Sequence, residues 1–503
     1  MKRSLLVLVP IYVFLFVSCQ DKPKSDIAYG VQYEPYGLDP TKNFGIDEIN
    51  IYSQVYETLI ILDPDDKQVK PHLAKDWSVS NDYKSYIFHL KENVKFHDGS
   101  KFNAETAKNS YLRQIRLNRN SPLFNGIESI DVKDSLTLEI RMKSKNPIFL
   151  YNLTSPLSLL AISKKLIESS DSEISDHPIG TGPYKFKKWY KGKSIQLSRF
   201  DQYWGEKGRI KEIFFKFFNN DSEREKSILQ NKADILYAIS GFAIDRLKWL
   251  GKIEYEVIPT FSTLYIGFNL DNKILGKKEI RKAILNSINI PSLVLNILRG
   301  NSIIAKGPLP PSLFYYNEIA QDPYNLEEAK QLLKNSDAKG NLKLNLFYPK
   351  EAIVRQTILE FIKANLAKVG ITLEIIPFNT WKEHNLACQS DSAQLFIGAW
   401  GSDVLGDPEN FLYSLFYSTS EFNYFHYHNV KVDRWLEEAA QEPMREKRDI
   451  LYQKIVKTIL DDTPAVFLYH VKPHFAYNKE KIKYLPVNPY GIIQFNQIIL
   501  NDN

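Results

Sequence analysis

The segment Leu395-Phe-Ile-Gly-Ala-Trp-Gly-Ser-Asp-Val-Leu-Gly-Asp-Pro-Glu-Asn-Phe411 carries the features that decide how this chain is built. Leu395-Phe-Ile is a short apolar run that stops at Gly398, which is typical of a buried strand. The turn formers Gly406-Asp-Pro-Glu follow, so a loop is predicted between this strand and the next element. In open α/β sheets, ligands bind outside the carboxyl ends of the strands, where such loops lie.

Three residues of this loop suit ligand binding. Trp400 offers a flat apolar face, and Gly401 allows another backbone to approach closely. Asp403 is a carboxylate that could hold an ammonium group of a ligand by a charge-assisted hydrogen bond. The alternative is that Asp403 caps the next helix and that Trp400 belongs to the core. These residues alone leave both interpretations open.

The length and composition indicate a folded protein of more than one domain. A chain of 503 residues exceeds one hydrophobic core, so two or three domains are expected. The contents of 44% apolar and 25% charged residues are ordinary for a soluble protein. The formal net charge of +6 is spread along the chain without a basic stripe, which argues against a nucleic-acid partner.

The N-terminal residues predict an exported protein. Lys2-Arg3 precede an apolar run from Leu5 to Val17, the pattern of a signal peptide, and the run is too short to span a membrane comfortably. Phe16-Val-Ser-Cys19 resembles the lipobox of bacterial lipoproteins, with the usual leucine one place early. The resemblance implies that Cys19 is lipidated and becomes the new N-terminus. The alternative is an ordinary secretory signal that contains a cysteine.

Hydrophobic periodicity predicts alternating strands and helices. A helix is expected from Ile46 to Ile61, and a second helix, capped by Asn103, to about Leu117. Val94 to Gly99 alternates as a hairpin strand does. Ile213 to Phe218 is almost continuously apolar, which favours a sheet covered on both faces. The alternation of strands and helices from Leu264 onward indicates a second α/β domain.

No catalytic constellation is visible in the sequence. Gly-x-Ser-x-Gly and His-Glu-x-x-His motifs are absent from it, and neither of its two cysteines lies in a catalytic context. His426 and His428 would share one face of a strand, but no further ligand lies nearby, so we expect no metal site and no cofactor. A secreted hydrolase is the competing class of protein, but no residue of the sequence is indicated as its catalytic group. The sequence therefore favours a binding protein.

Several motifs occur in a fixed order along the chain, and together they carry a family resemblance. They are Leu73-Ala-Lys-Asp-Trp-Ser-Val-Ser80, Tyr86-Ile-Phe-His-Leu90, Val94-Lys-Phe-His-Asp-Gly99, Ile179-Gly-Thr-Gly-Pro-Tyr184, Tyr203-Trp-Gly205, Arg281-Lys-Ala-Ile284, Ala399-Trp-Gly-Ser-Asp403 and Gly406-Asp-Pro-Glu-Asn-Phe411. This set is similar to the solute-binding proteins of bacterial peptide ABC importers, family 5. The resemblance implies an α/β, two-lobed periplasmic-binding-protein fold (type II, cluster C) with mixed sheets and a hinge of two crossing strands.

The resemblance also implies a domain order and a function. We expect a lipoprotein signal peptide over 1–19, lobe I over 20–263 with an extra inserted subdomain, lobe II over 264–471, and a return to lobe I over 472–503. The protein would be a monomer, held on the bacterial cell envelope by its lipid, either in the periplasm or on the outer face of the cytoplasmic membrane. It would bind peptides, with oligopeptides as the expected ligands, between its lobes and deliver them to an ABC permease.

The site residues implied by the resemblance follow from the matching motifs. They are Asp403 for the amine of the peptide, Trp400, Gly401 and Ser402 for pairing with its backbone, Gly45 and Ile46 along its other edge, and Tyr265 and Tyr469 as residues lining the cleft. Phe44 replaces a glutamate of the family, so any charge contact from that position is missing. Tyr348 stands where dipeptide-selective members have an arginine, which favours longer peptides. Receptors of the same fold for a nickel complex, haem, an oligosaccharide or a cell-wall peptide are the alternatives.

The lipid anchor gives the first testable prediction. Cys19→Ala should release the protein from membranes into the soluble extracytoplasmic fraction, because the acylated residue is lost. Cell fractionation with mass spectrometry of the mature N-terminus measures this. A wild-type protein that is already soluble and carries no acyl group would contradict the lipoprotein assignment.

Overall fold

The computed structural model of the chain describes most of the sequence after the predicted leader. The described residues are 26–42, 45–63, 66, 68–118, 121, 123–124, 126–218, 220–237, 239, 241–258, 261–336, 342–350, 356–390, 392–401, 407–488 and 490–501. The predicted signal peptide and Cys19 lie outside these ranges. Among the helices in these ranges, none combines the length and the apolar character that crossing a bilayer requires.

The strands of the described chain are short, and most have three to eight residues. In chain order they are β1 (Asp26–Val31), β2 (Ile60–Leu62), β3 (Val69–Pro71), β4 (Ala74–Val79), β5 (Ser85–Leu90), β6 (Ile127–Asp134), β7 (Thr137–Met142), β8 (Tyr184–Tyr190), β9 (Ser194–Arg199), β10 (Glu212–Phe217), β11 (Ile235–Tyr237), β12 (Ile253–Val257), β13 (Ser262–Phe268), β14 (Ser302–Ile304), β15 (Leu342–Pro349), β16 (Ile371–Phe378), β17 (Leu395–Gly401), β18 (Ala465–Val471), β19 (His474–Asn478), β20 (Ile482–Tyr484) and β21 (Ile499–Leu500).

The helices connect these strands and cover the sheets. They are α1 (Ile46–Tyr52), α2 (Ala104–Leu117), α3 (Phe149–Asn152), α4 (Lys164–Ile167), α5 (Asp171–Asp176), α6 (Asp221–Leu229), α7 (Gly241–Trp249), α8 (Lys278–Ser287), α9 (Ile290–Ser292), α10 (Leu326–Asn335), α11 (Gln356–Ala367), α12 (Trp381–Cys388), α13 (Glu409–Phe416), α14 (Val430–Gln441) and α15 (Arg445–Asp462), with a π-helical segment at Leu293–Ile297 and a 3-10 turn at Phe495–Gln497.

The first large sheet has seven strands in the order β12-β19-β11-β1-β10-β9-β8. β1 is parallel to β10 and β11, and the other pairs in this sheet are antiparallel. All six residues of β1 are buried. A central strand is covered on both faces, which explains why its sequence lacks the polar alternation of an exposed strand.

The second large sheet has six strands in the order β14-β18-β13-β17-β15-β16. β15 is parallel to β16 and β17, and the other pairs are antiparallel. Successive residues of β13 enter different cores: Leu264 and Ile266 belong to one face, and Tyr265 belongs to the other. Both faces of this sheet are therefore interior. A separate four-stranded antiparallel sheet, β4-β5-β7-β6, has its own core with α2 and α3, and we call it the four-stranded unit.

Two connections carry the chain between the large sheets, and they lie side by side. β12 leads into β13, and β18 leads into β19. Val257 pairs with His474 on one side of the crossing, and Thr263 pairs with His470 on the other. The amide of Ile258 donates to the carbonyl of Pro473 at 3.3 Å between them. The expected two-lobed fold with mixed sheets is confirmed, whereas the lobe limits at 263/264 and 471/472 stay a prediction.

Some local expectations are confirmed and others are wrong. Asn103 caps α2, since its side chain accepts a hydrogen bond from the amide of Thr106 at 2.9 Å. The helix expected from Ile46 to Ile61 ends at Tyr52 instead. Just beyond it, the loop containing Gly182 donates a backbone hydrogen bond to the carbonyl of Val55 at 2.9 Å. The apolar spacing there reflects burial against this loop and not a continuing helix.

The hairpin strand expected over Val94 to Gly99 is also wrong. In the structure, this segment has an isolated bridge between Lys95 and Lys101 and a turn at Gly99, whose φ is +84°. Phe96 is buried in the core of the four-stranded unit. Alternate side chains can therefore be buried in an extended segment that is not paired with another strand, and the apolar alternation by itself does not show a hairpin.

Candidate functional site

The two strands beside β17 pair with it over different lengths. β13 pairs with β17 over all its residues from Leu395 to Gly401. On the other side, β15 pairs with Leu395 and Phe396 and no further. From Ile397 to Gly401, that second edge of β17 has no strand beside it in the chain that the structure describes. We call this the open edge of β17, and an extended backbone could pair with it as an added strand.

Trp400 lies on β17 beside this open edge. Its side chain is half-buried, and its ring centroid is 5.0 Å from that of Phe422. The indole N–H is buried and has no hydrogen-bond partner among the described residues. Gly401, the next residue, is exposed and pairs with Ser262 at the start of β13. The structure thus places Trp400 and Gly401 together at the carboxyl end of a central strand, half in the core and half at the surface.

A buried ion pair fixes the chain where it enters α13. The side chains of Asp407 and Arg448 are 2% and 4% exposed, and their charged groups are in direct contact. The Tyr452 hydroxyl also donates to Asp407 Oδ1 at 2.6 Å, and the amide of Glu409 donates to the same oxygen at 2.9 Å. Breaking one side of such a pair leaves a buried charge without a partner, so this contact holds the start of α13 rigidly.

A cavity of about 280 Å³ lies between the four-stranded unit with α3 and the helices α13 and α14. Lys145 and Asn152 line it from the first side, and Glu409, Asn410 and Glu437 line it from the second. Burial raises the pKa of Glu409 to about 7; the nearby Asp407 adds to the increase, and Arg448 opposes it. The folded environment of this carboxyl group therefore favours its protonated form.

Two asparagines in this lining have a buried polar atom without a partner. Both Asn152 and Asn410 are 5% exposed. Asn152 Oδ1 accepts no hydrogen bond, and Asn410 Nδ2 donates none, within the described chain. An unpaired buried polar group costs about 1–3 kcal/mol.

Gly45 and Ile46 lie at the start of α1 in the other lobe. Gly45 is exposed and precedes the helix, and Ile46 is its first residue. The fully buried side chain of Asn50 donates to the carbonyls of Ile46 and Gly491, each at 3.0 Å, and accepts from the amide of Ile493 at 2.9 Å. The start of α1 is therefore fastened to the C-terminal segment of the chain.

The C-terminal segment also connects α1 with the crossings. Tyr490 precedes Gly491, and its ring centroid is 6.0 Å from that of Phe261, which lies between β12 and β13. No hydrogen bond joins Gly45 or Ile46 to Trp400 or Gly401 within the described residues. The structure brings Trp400 and Gly401 together and places Gly45 and Ile46 together in the other lobe, as two separate groups.

The two tyrosines expected to line the cleft are both buried in the structure. Tyr265 is 3% exposed, and its ring centroid is 5.4 Å from that of Phe425. Tyr469 is 6% exposed and belongs to the core on the opposite face of the sheet, with Leu264. Helices cover both faces of this sheet, so side chains of either alternation become interior. Their assignment to the cleft stays a prediction.

Ser402 and Asp403 lie outside the described residues, and so does Phe44. The roles assigned to them stay predictions. The structure does bear on the alternative that Asp403 caps the following helix. α13 begins at Glu409, and the carboxylate that accepts from the amide of that residue belongs to Asp407. A cap from Asp403 is therefore not needed at this helix.

Sequence reasoning treated Gly406-Asp-Pro-Glu as a turn signal and missed what its side chains do. Asp407 forms the buried ion pair, and Glu409 lines the cavity. In the sequence, these roles are indicated only by a run of acidic and amide residues between two apolar segments. Whether Asp407 is paired depends on Arg448, which lies 41 residues away along the chain. Local patterns do not report such a partner.

A comparison with known families identifies the middle of the chain. A model described as bacterial extracellular solute-binding proteins, family 5 Middle, matches residues 68–423. The dipeptide-binding protein of Escherichia coli (strain K12) is 26% identical over 513 aligned residues, covering 94% of this chain and 94% of that protein.

Solved structures share the fold. The periplasmic binding protein DppA of Helicobacter pylori, in complex with the peptide STSA, has a TM-score of 0.81 at 24% identity, covering 95% of this chain and 98% of the other. NikA of Brucella suis, in complex with Fe(III)-EDTA, has a TM-score of 0.85 at 21% identity, covering 95% and 100%. At these identities the likeness shows the two-lobed architecture.

The buried ion pair predicts a large stability effect. Asp407→Asn should lower the free energy of unfolding by about 3–5 kcal/mol, because Arg448 would stay buried without a countercharge. The double variant Asp407→Asn/Arg448→Met should lose less than the sum of the single variants. Urea unfolding measures these values. Arg246→Met, which breaks the exposed contact with Glu225, is the control and should change little. A small effect of Asp407→Asn would contradict the role of the pair.

Glu409 predicts a pH dependence with a defined sign. Its pKa is raised from 4.5 to about 7 in the folded protein, so the folded state binds this proton more tightly than the unfolded chain. Its contribution to stability is complete below about pH 4.5 and is lost as the pH rises through about 7. Relative to Glu409→Gln, the wild type should therefore lose stability across that range in urea unfolding. Equal slopes for wild type and Glu409→Gln would refute the assignment.

Proposed function

The chain belongs to the family 5 bacterial extracellular solute-binding proteins, and from that premise we propose that it binds peptides between its two lobes and delivers them to an ABC permease. This is a family of solute-binding proteins and not of enzymes. The observation that carries the proposal is the open edge of β17 from Ile397 to Gly401. It offers the backbone groups that an extended peptide needs, at the carboxyl end of a central strand.

The proposed peptide lies along this edge with its amino terminus toward 402–406. Main-chain pairing gives affinity for any extended peptide, whatever its side chains. Asp403, two residues beyond Gly401, then binds the α-ammonium group by a charge-assisted hydrogen bond. The half-buried ring of Trp400 supplies an apolar surface beside it. The Escherichia coli relative is a dipeptide-binding protein, and the Helicobacter pylori structure holds a peptide, which agrees with this ligand class.

We propose that the ligand is longer than a dipeptide. Tyr348 occupies the position where the resemblance places an arginine in dipeptide-selective members. The cavity bounded by Asn152 and Asn410 lies beside α13, which follows directly on 402–406 and Asp407. A peptide that extends into it would meet polar side chains from both sides, among them Lys145, Glu409 and Glu437. These groups support the proposal because a longer peptide carries backbone donors and acceptors along its whole length.

The proposed arrangement in the cell is a lipid-anchored monomer. Cys19 carries the lipid, and residues 20–25 form a tether on the outer face of the membrane or in the periplasm. Lobe I comprises 20–263 and 472–503, and lobe II comprises 264–471. Closure around the ligand occurs at the two crossings, which are short and adjacent, as hinges between lobes are. The backbone contact of Ile258 with Pro473 supports this placement.

A chelated metal is the second candidate ligand. NikA of Brucella suis has the same architecture and holds Fe(III)-EDTA, so this fold accommodates chelates as well as peptides. Fold alone does not decide between them. Mass spectrometry of the small molecules that co-purify with the folded protein distinguishes the two, because a peptide and a metal chelate differ in mass and isotope pattern.

The amine contact predicts a specific loss of affinity. Hydrogen bonds to charged groups contribute about 1.5–3 kcal/mol, so Asp403→Asn should weaken binding of the co-purified peptide by at least about tenfold. N-acetylation of that peptide should weaken its binding to the wild type to a similar degree. The acetyl group should add little further loss in the mutant, because both changes remove one interaction. Calorimetric titration of the four combinations measures this.

The cap alternative predicts a different outcome for the same variant. If Asp403 stabilises a helix, Asp403→Asn lowers the melting temperature and leaves peptide affinity nearly intact. Unchanged affinity in a protein shown to bind peptides would remove the amine contact. Trp400→Ala, beside the same edge, should reduce affinity without abolishing the effect of N-acetylation, since the ammonium contact is retained.

A further inference from the structure

The first large sheet has an edge that lies away from the second sheet. β1, β11 and β12 run in the same direction, since β1 is parallel to β11 and both β11 and β12 are antiparallel to β19. Val257, at the end of β12, pairs with His474 at the crossings. Asp26, Ile235 and Ile253 therefore begin their strands at the opposite end of the sheet, which we call the far edge.

Ion pairs connect the turns of the far edge with the beginning of β1. Asp234 accepts from the amide of Ala28 at 2.7 Å and lies 3.0 Å from the ammonium group of Lys481. The neighbouring Glu480 is 3.2 Å from the ammonium group of Lys252. The turns before β11, before β12 and after β19 are thus joined into one surface around the strand that follows residues 20–25.

This surface exposes two neighbouring large apolar side chains. Trp249 is 86% exposed and Leu250 is 42% exposed, at the end of α7. Single exposed apolar residues are ordinary, but adjacent ones of this size at one edge mark a contact surface.

The same surface has an excess of positive charge. Its exposed basic residues are Lys232, Arg246, Lys248, Lys252, Lys479 and Lys483, and its exposed acidic residues are Asp245, Glu254 and Glu480. In the sequence of the tether, Lys22 and Lys24 outnumber Asp21. Lysines close to a bilayer are attracted to anionic headgroups.

The length of the tether brings this surface to the membrane. The six residues Gln20 to Ser25 separate Cys19 from Asp26, so the Cα atoms of Cys19 and Asp26 lie at most about 25 Å apart. β12 lies three strand spacings from β1, a distance of about 14 Å. A lipid on Cys19 therefore keeps the start of β1 within about 25 Å of the bilayer, and β12, which follows Trp249, begins close to it in the same sheet.

We infer that the far edge is a membrane-contact face, in which Trp249 and Leu250 enter the lipid interface and the exposed lysines contact anionic headgroups. The inference rests on the proposed lipid anchor at Cys19. Tryptophan prefers the membrane interface because its ring is apolar and its N–H is polar. An acyl chain together with a basic surface holds a protein on a membrane more firmly than a single chain does.

This contact orients the whole receptor. The crossings and the carboxyl ends of the central strands lie at the opposite end of the sheet from Trp249. With the far edge on the bilayer, the cleft faces away from the membrane, toward the space where peptides diffuse. Delivery to a permease then requires release of this face and rotation about the tether.

Fluorescence quenching by lipids with brominated acyl chains tests the inference. The mature chain is prepared in two forms: natively acylated, and coupled through Cys19 to a maleimide lipid. Burial raises the pKa of Cys388 to about 12, so this second thiol does not compete. In vesicles of phosphatidylcholine and phosphatidylglycerol, part of the emission of the seven tryptophans should be quenched, and Trp249→Phe should abolish that part.

Charge variants provide the matched control. Lys479→Glu/Lys483→Glu should weaken the membrane contact. The ratio of protein with its far edge on the bilayer to protein with its far edge free should fall by about fivefold for each lysine removed. Lys363→Glu/Lys382→Glu makes the same change in net charge at exposed positions of the second lobe, and it should leave the membrane contact unchanged. Thermal unfolding of each variant confirms that the fold is retained.

The outcomes separate this inference from the lipid anchor. If the native protein carries no acyl group but the maleimide-coupled form shows quenching that depends on Trp249, the anchor fails and the contact face stands. If both forms float with the vesicles and Trp249→Phe changes nothing, the contact face is overturned. Self-association that Trp249→Phe removes, without quenching in the wild type, would overturn it in favour of a second copy as the partner.

Discussion

The two side-by-side crossings are the constraint on which the rest of this structure depends. The amide of Ile258 bonds to Pro473, and Thr263 Oγ1 lies 2.8 Å from His470 Nδ1 just beyond them. Burial lowers the pKa of His470 to about 4, so this contact is between neutral groups. Because β13 and β18 lead from the crossings into the middle of the second sheet, any movement there carries β17 with it as one body.

The described residues on either side of the proposed ligand-binding segment are both held by specific contacts. Gly401 is paired with Ser262 on β13, and Asp407 is held by Arg448 and Tyr452. Only 402–406 separates them. The chemistry differs at the two ends: a backbone ladder sets the direction of the strand, and a buried ion pair sets the start of the helix.

The two ends of the first sheet have different proposed roles. The carboxyl ends of its parallel strands face the crossings and the start of α1, which is fastened to the C-terminal segment by Asn50. The opposite ends meet the turns that contain Trp249 and the exposed lysines. Parallel strand direction therefore separates the proposed ligand side from the proposed membrane side within one sheet, without an additional domain.

The sequence placed the end of the strand at Gly398, whereas β17 continues through Trp400 to Gly401. By itself, the sequence determined the family and the alternation of strands and helices. These depend on periodicity, on caps such as Asn103, and on motif order, all of which are local. Only the tertiary structure decided that Tyr265 and Tyr469 are interior and that Asp407 is paired with Arg448. Whether a face of a sheet is open or covered, and whether a carboxylate is buried, depends on residues distant in the chain. Burial and charge pairing are properties of the assembled fold, and a single sequence does not encode them position by position.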